Sequence, residues 1–122
     1  MARILIGDPY PEIRDLLVHI VSSMGHEAVV PEAAGTGGHP DIDVVVLEPG
    51  YTSMIALAHE VRSARPQARF VCVSIYPPSP GALALDPVAY LVKPFSIAAL
   101  QEAIQAALVV LARGRADRTR PR

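Results

Sequence analysis

The hydrophobic and polar positions along the chain alternate between two rhythms. Short apolar runs at Arg3 to Gly7, 26–30 (HEAVV), 43–48 (DVVVLE), 69–75 (RFVCVSI) and 89–93 (AYLVK) have the length and β-branched content of strands. Between them apolar residues recur at helical spacing: Ile13, Leu16, Leu17, Ile20, Val21 and Met24, then Met54, Leu57, Ala58 and Val61, then Ile97, Leu100, Ile104, Leu108 and Leu111. The punctuation agrees. Pro11 suits a first helical turn and Gly25 a stop. Thr52 or Ser53 is placed to cap the second helix, and Ser96 the last, which is expected to end near Gly114. Strands alternating with helices predict an α/β domain built on a parallel sheet.

Two connections lack a helical stripe. Residues 31–41 (PEAAGTGGHPD) hold three glycines and two prolines, which leaves hardly any helix. Residues 76–89 (YPPSPGALALDPVA) permit one or two turns around Gly81 to Leu85. In a doubly wound sheet both connections pass over the same face, and a parallel sheet needs both faces covered. That face is therefore expected to be shielded by ordered loops, a second copy of the chain or another protein. Val109 and Val110 add apolar surface outside the last helix's core stripe, which points to self-association near the fourth connection and the last helix.

Composition narrows the picture further. At 122 residues, 51% hydrophobic, the chain suits one domain with a real core. A net charge of −1 argues neither for nor against nucleic acid. Cys72 is the single cysteine, which excludes an internal disulfide; it reads as an inert core residue of a protein in a reducing cytoplasm. No signal peptide is apparent, and no uninterrupted apolar run approaches ~18 residues, so no membrane is expected. His19, His26, His39 and His59 lack ligand spacing, and the GTGG stretch at 35–38 lacks the lysine and following helix of a phosphate loop. The end RGRADRTRPR carries five arginines in its last ten residues. It reads as a solvated terminus or linker rather than a phosphate-backbone binder.

Candidate chemistry gathers at the carboxyl ends of the strands, where an α/β sheet binds its ligands. Asp8, Glu48, Ser74 and Lys93 stand there, and Lys93 is the one lysine beside ten arginines. With these residues, ILIGDPYPEIRDLL (4–17) and YLVKPF (90–95) resemble the receiver domain of bacterial two-component response regulators, over residues 3 to about 112. The resemblance implies a flavodoxin-like (βα)5 doubly wound sheet of order 2-1-3-4-5, here with the second and fourth helices shortened or missing. It divides the chain into a receiver-like domain, 1–113, and a basic tail, 114–122. It also implies an acid pair that binds magnesium, a phosphoacceptor aspartate ending the third strand, a hydroxyl and a lysine that hold phosphoryl oxygens, and an aromatic switch residue. Position by position, Asp8 is the first acid and Pro9 replaces the second. Glu48 takes the phosphoacceptor place, Ser74 and Lys93 are the hydroxyl and the lysine, and Tyr90 is the aromatic. Pro94 stands where the family often has a cis proline.

Two departures bear on mechanism. Magnesium wants near-octahedral oxygen ligands, and Pro9 offers none. Without the metal, charge on a transferring phosphoryl group goes largely uncompensated. Glu48 places its carboxylate one methylene, ~1.5 Å, beyond an aspartate's, which spoils in-line attack. The same reach is expected to carry Glu48 toward Lys93 and Ser74, where a phosphoryl oxygen would lie. The expectation is a pseudo-receiver: a phosphorylation-independent interaction module, not an enzyme, whose partner is a protein of a signalling pathway or a second copy of the chain. No cofactor is expected beyond weak magnesium binding at most, and neither nucleic acid nor membrane is expected as a partner. The alternative is a working phosphorelay receiver phosphorylated by a sensor histidine kinase. An enzyme of nucleotide or phosphate chemistry would need a glycine-rich loop, a nucleophile–base pair or a metal cluster that the sequence lacks.

Overall fold

The structure, a computed structural model, describes residues 1–31 and 41–119, with side chains as far as Gly114. Its elements are β1 (Arg3–Gly7), α1 (Pro11–Ser23), β2 (Glu27–Val29), β3 (Val44–Leu47), α2 (Thr52–Ala64), β4 (Arg69–Ser74), α3 (Pro80–Leu83), β5 (Ala89–Val92) and α4 (Ile97–Thr119). The five strands form one parallel sheet ordered β2-β1-β3-β4-β5, the doubly wound order. The expected absence of a helix between the second and third strands concerns residues outside those described. The shortening of the fourth connection is seen: α3 is a single turn of four residues.

Alternation along the strands builds two core layers. Ile4, Ile6, Val44, Val46, Val71 and Val73 pack with Leu17, Ile20 and Val21 of α1 and with Leu100, Ile104 and Ala107 of α4. Leu5, Val45, Leu47 and Phe70 face the other way, under Ala58 and Val61 of α2. All six residues of β4 except Arg69 are buried, as a central parallel strand requires.

The second layer lies on the face that the thin connections were expected to leave to another shield. Ile42, Leu85 and the α2 residues cover it from within the chain. Arg62 also helps: its guanidinium lies 4.6 Å from the Phe70 ring centroid, and Nη2 donates to the Leu85 carbonyl at 2.6 Å. One long side chain thus covers apolar surface near the single-turn α3. Among the described residues, segments of the same chain thus supply cover on this layer.

Several local expectations need correction. Leu16 is exposed, because the buried stripe of α1 is Leu17, Ile20 and Val21, about one residue round the helix. Ile97 is 55% exposed although its spacing fits the stripe; Ala103 and Ala107 are buried instead, small enough to let the helix lie close on the sheet. Tyr51, not Thr52 or Ser53, stands at the N-cap of α2, in extended conformation and with no side-chain cap, so its carbonyl accepts from Met54 and Ile55. Helix α4 runs through Gly114 to Thr119. Ser96 does cap it, accepting from the Ala99 N–H at 3.0 Å, and Gly25, at φ +85°, ends α1. The window Ile97–Gly114, at mean hydropathy 1.3, is long and apolar enough to cross a membrane by composition. Within it Leu100, Ile104 and Ala107 pack into the core on the sheet and Leu111 is buried, with 28% of the window buried in all.

Candidate functional site

Register brings the candidate residues to one level. Gly7 pairs with Leu47, and Ser74 with Val92, so Asp8, Glu48 and Lys93 each stand one residue past a paired strand end. Backbone bonds continue the ladder there: Glu48 N–H to the Gly7 carbonyl at 2.8 Å, and Lys93 N–H to the Ser74 carbonyl at 2.7 Å. A Cβ at Gly7 would lie 2.8 Å from Leu47 Cδ1, so a larger residue there would make the Leu47 side chain shift. The peptide bond between Lys93 and Pro94 is cis.

Lys93 lies between the two acids. Its Nζ donates to Asp8 Oδ2 at 3.0 Å and to Glu48 Oε2 at 3.2 Å. The remaining oxygens accept backbone N–H groups two residues on: Asp8 Oδ1 from Tyr10 at 2.9 Å, and Glu48 Oε1 from Gly50 at 3.0 Å. The Asp8 and Glu48 side chains are 0% and 1% exposed, and Lys93 13%. Two buried carboxylates therefore share one cation, and every carboxylate oxygen has a donor.

The expected reach of Glu48 toward Lys93 matches this geometry. Ser74 is buried too, but its Oγ accepts from the Tyr76 N–H at 3.1 Å, a turn bond within its own loop. Tyr90 donates its hydroxyl to the Tyr76 carbonyl at 2.8 Å, so Ser74 and Tyr90 both hold Tyr76. Cys72 is free and buried, and burial, with the negative charge of Glu48, pushes its thiol up to about 12. Among the described residues no group of three His, Cys, Asp or Glu side chains is placed to hold a metal ion.

Sequence reasoning missed the aromatic rim of this site. Tyr51 donates its hydroxyl to that of Tyr10 at 2.6 Å, and the two rings meet edge to face with centroids 5.8 Å apart. The hydrogen bond it donates to Tyr10, followed by burial and nearby negative charge, raises the Tyr51 phenol to about 12. The signal available was the repeated order acid, proline, tyrosine in DPY (8–10) and EPGY (48–51).

No protein-family model and no curated protein matches the chain. Solved structures do. A CheY-like response regulator receiver domain protein from Methanospirillum hungatei superposes with a TM-score of 0.79 at 21% identity, covering 93% of this chain and 98% of its own. The chemotaxis protein CheY4 of Vibrio cholerae gives 0.72 at 23%, covering 88% and 98%. The response regulator TrrA of Thermotoga maritima, solved in complex with Mg2+ and BeF, gives 0.68 at 24%, covering 88% and 99%. At these identities the likeness establishes the fold, and the fold is that of response-regulator receiver domains.

Proposed function

We propose that this chain is a receiver-like signalling module that acts through protein contacts without being phosphorylated. The observation that carries this reading is the state of Glu48. The residue at the phosphoacceptor place is buried, and each of its oxygens is already engaged, by Lys93 and by the Gly50 N–H. These bonds draw on the electron density an attacking oxygen would use, and that oxygen would stand a methylene too far forward.

The donor set does not fit the magnesium that the receiver fold implies. Pro9 supplies no side-chain oxygen. The two carboxylates that remain already share one ammonium group, at 3.0 and 3.2 Å, which a divalent cation would have to displace. No chemical step is derived through that metal, and no enzymatic activity is assigned. The partner we assign is another protein of the pathway or a second copy of the chain. Supporting this, Leu83, Val92 and Ile97 are exposed around the edge strand β5, and Val109 along α4.

Incubation with acetyl phosphate and magnesium, followed by intact mass spectrometry, tests the proposal. The expected result is no +80 Da species, the mass of a phosphoryl group, under conditions that label a working receiver. A stable adduct mapped to Glu48 would overturn it in favour of a phosphorelay receiver.

A further inference from the structure

We propose that Tyr10 and Tyr51 form a latch that closes the crevice over Lys93, so that access to the acid–lysine site depends on a contact between the two loops that enter α1 and α2. This rests on the reading of the site given above and adds its regulation.

In a doubly wound sheet the ligand crevice opens where successive connections leave for opposite faces. Here that place lies between β1 and β3: α1 packs on the layer shared with α4, and α2 on the other. The loops from Asp8 and Glu48 thus diverge, and divergence alone would leave the strand ends open to water. The acids are nevertheless fully buried.

The tyrosines span that gap. Each loop is built alike: an acid that accepts the N–H two residues on, a proline directly after the acid, and a tyrosine at the N-cap of the following helix. Neither tyrosine caps its own helix through its side chain. Their hydroxyls meet each other instead, at 2.6 Å, with the rings at 74°. The loop from Glu48 lies close over its acid, since a Cβ at Gly50 would come within 3.0 Å of Glu48 Oε1 and 3.2 Å of the Tyr76 ring. Tyr10 is half exposed, so the latch faces solvent and can open without unfolding the core.

Because Lys93 is the only lysine, amine acylation reads the latch directly. The whole chain is treated briefly with acetic anhydride at neutral pH, and acetylation of Lys93 is compared with that of the amino terminus of the same molecule. In the unaltered protein Lys93 reacts far more slowly than the terminus. Tyr10→Ala and Tyr51→Ala are each expected to raise the ratio at least tenfold. Tyr10→Phe, which keeps the ring and removes the hydroxyl acceptor, is expected to raise it about threefold. A ratio unchanged within twofold in the folded alanine variants overturns the latch; if those variants do not fold, the same null result in Tyr10→Phe overturns it. The acetyl phosphate experiment is separate, so an adduct on Glu48 would remove the parent reading while leaving the labelling ratio to be judged by itself.

Discussion

Replacing Lys93 by methionine removes the ammonium group and leaves two carboxylates buried at the end of the sheet. At 4 Å and an effective dielectric of about 20, an opposite-charge pair attracts by about 4 kcal/mol. Lys93 makes two contacts shorter than that, 3.0 Å to Asp8 and 3.2 Å to Glu48, with its side chain 13% exposed. Desolvation of three charged groups and repulsion between the acids offset most of this attraction. Breaking such a buried pair by deleting one partner costs about 3–5 kcal/mol, against about 5–15 kcal/mol for a whole domain. Urea unfolding followed by circular dichroism at pH 7 measures the loss. With a slope of about 2 kcal/mol per molar urea, the midpoint of Lys93→Met should fall by roughly 1.5 M or more. Adding Glu48→Gln removes one stranded charge and should return about 1–2 kcal/mol. A loss below about 1 kcal/mol, the ordinary value of an exposed pair, would refute the reasoning, as would a double variant no more stable than the single one.

Other outcomes follow from the same structure. Arg62→Met keeps the aliphatic cover but loses the 2.6 Å bond to the Leu85 carbonyl and the contact with Phe70, and should cost about 1.5–3 kcal/mol in the same urea assay. Folded Cys72 and Tyr51 both hold their protons to about 12, whereas the unfolded chain releases them from model values of 9.0 and 10.0. The unfolded state then binds fewer protons at alkaline pH, so their contribution is intact below pH 8 and is lost as pH rises from about 9 to 12. Cys72→Ala should flatten that decline by up to about 1.4 kcal/mol per pH unit, read from urea midpoints at successive pH values. Sedimentation at micromolar concentration should show self-association, weakened by Ile97→Asp; a strict monomer would count against the exposed β5 edge as a contact between copies.

The sheet was legible because its strands are buried on both faces, so β4 and β3 read as unbroken apolar runs without any knowledge of their neighbours. Caps made by short local bonds were legible too, as at Ser96. What periodicity cannot supply is which positions of a stripe the neighbouring elements cover. Ile97 carries the right spacing for the core but is 55% exposed, and Leu16 falls one residue off the buried stripe of α1. At the site, the residue types and their strand-end positions could be read, whereas their pairing could not. Asp8 and Lys93 are 85 residues apart, and Tyr10 and Tyr51 41, and only register and crossover geometry bring them together. The capping of α2 went wrong for a related reason: the Pro49-Gly50 turn delivers Tyr51 to the cap, a tertiary demand that overrides the local preference for threonine or serine.

The position of Lys93 has a consequence for how the molecule meets its surroundings. A counter-ion that is part of the polypeptide cannot diffuse away, be chelated or be exchanged as ionic conditions change. Chelator and added divalent salt should therefore leave the unfolding curve where it was. The resting shape of the strand ends is then fixed by the gene rather than by the cation content of the solution around it.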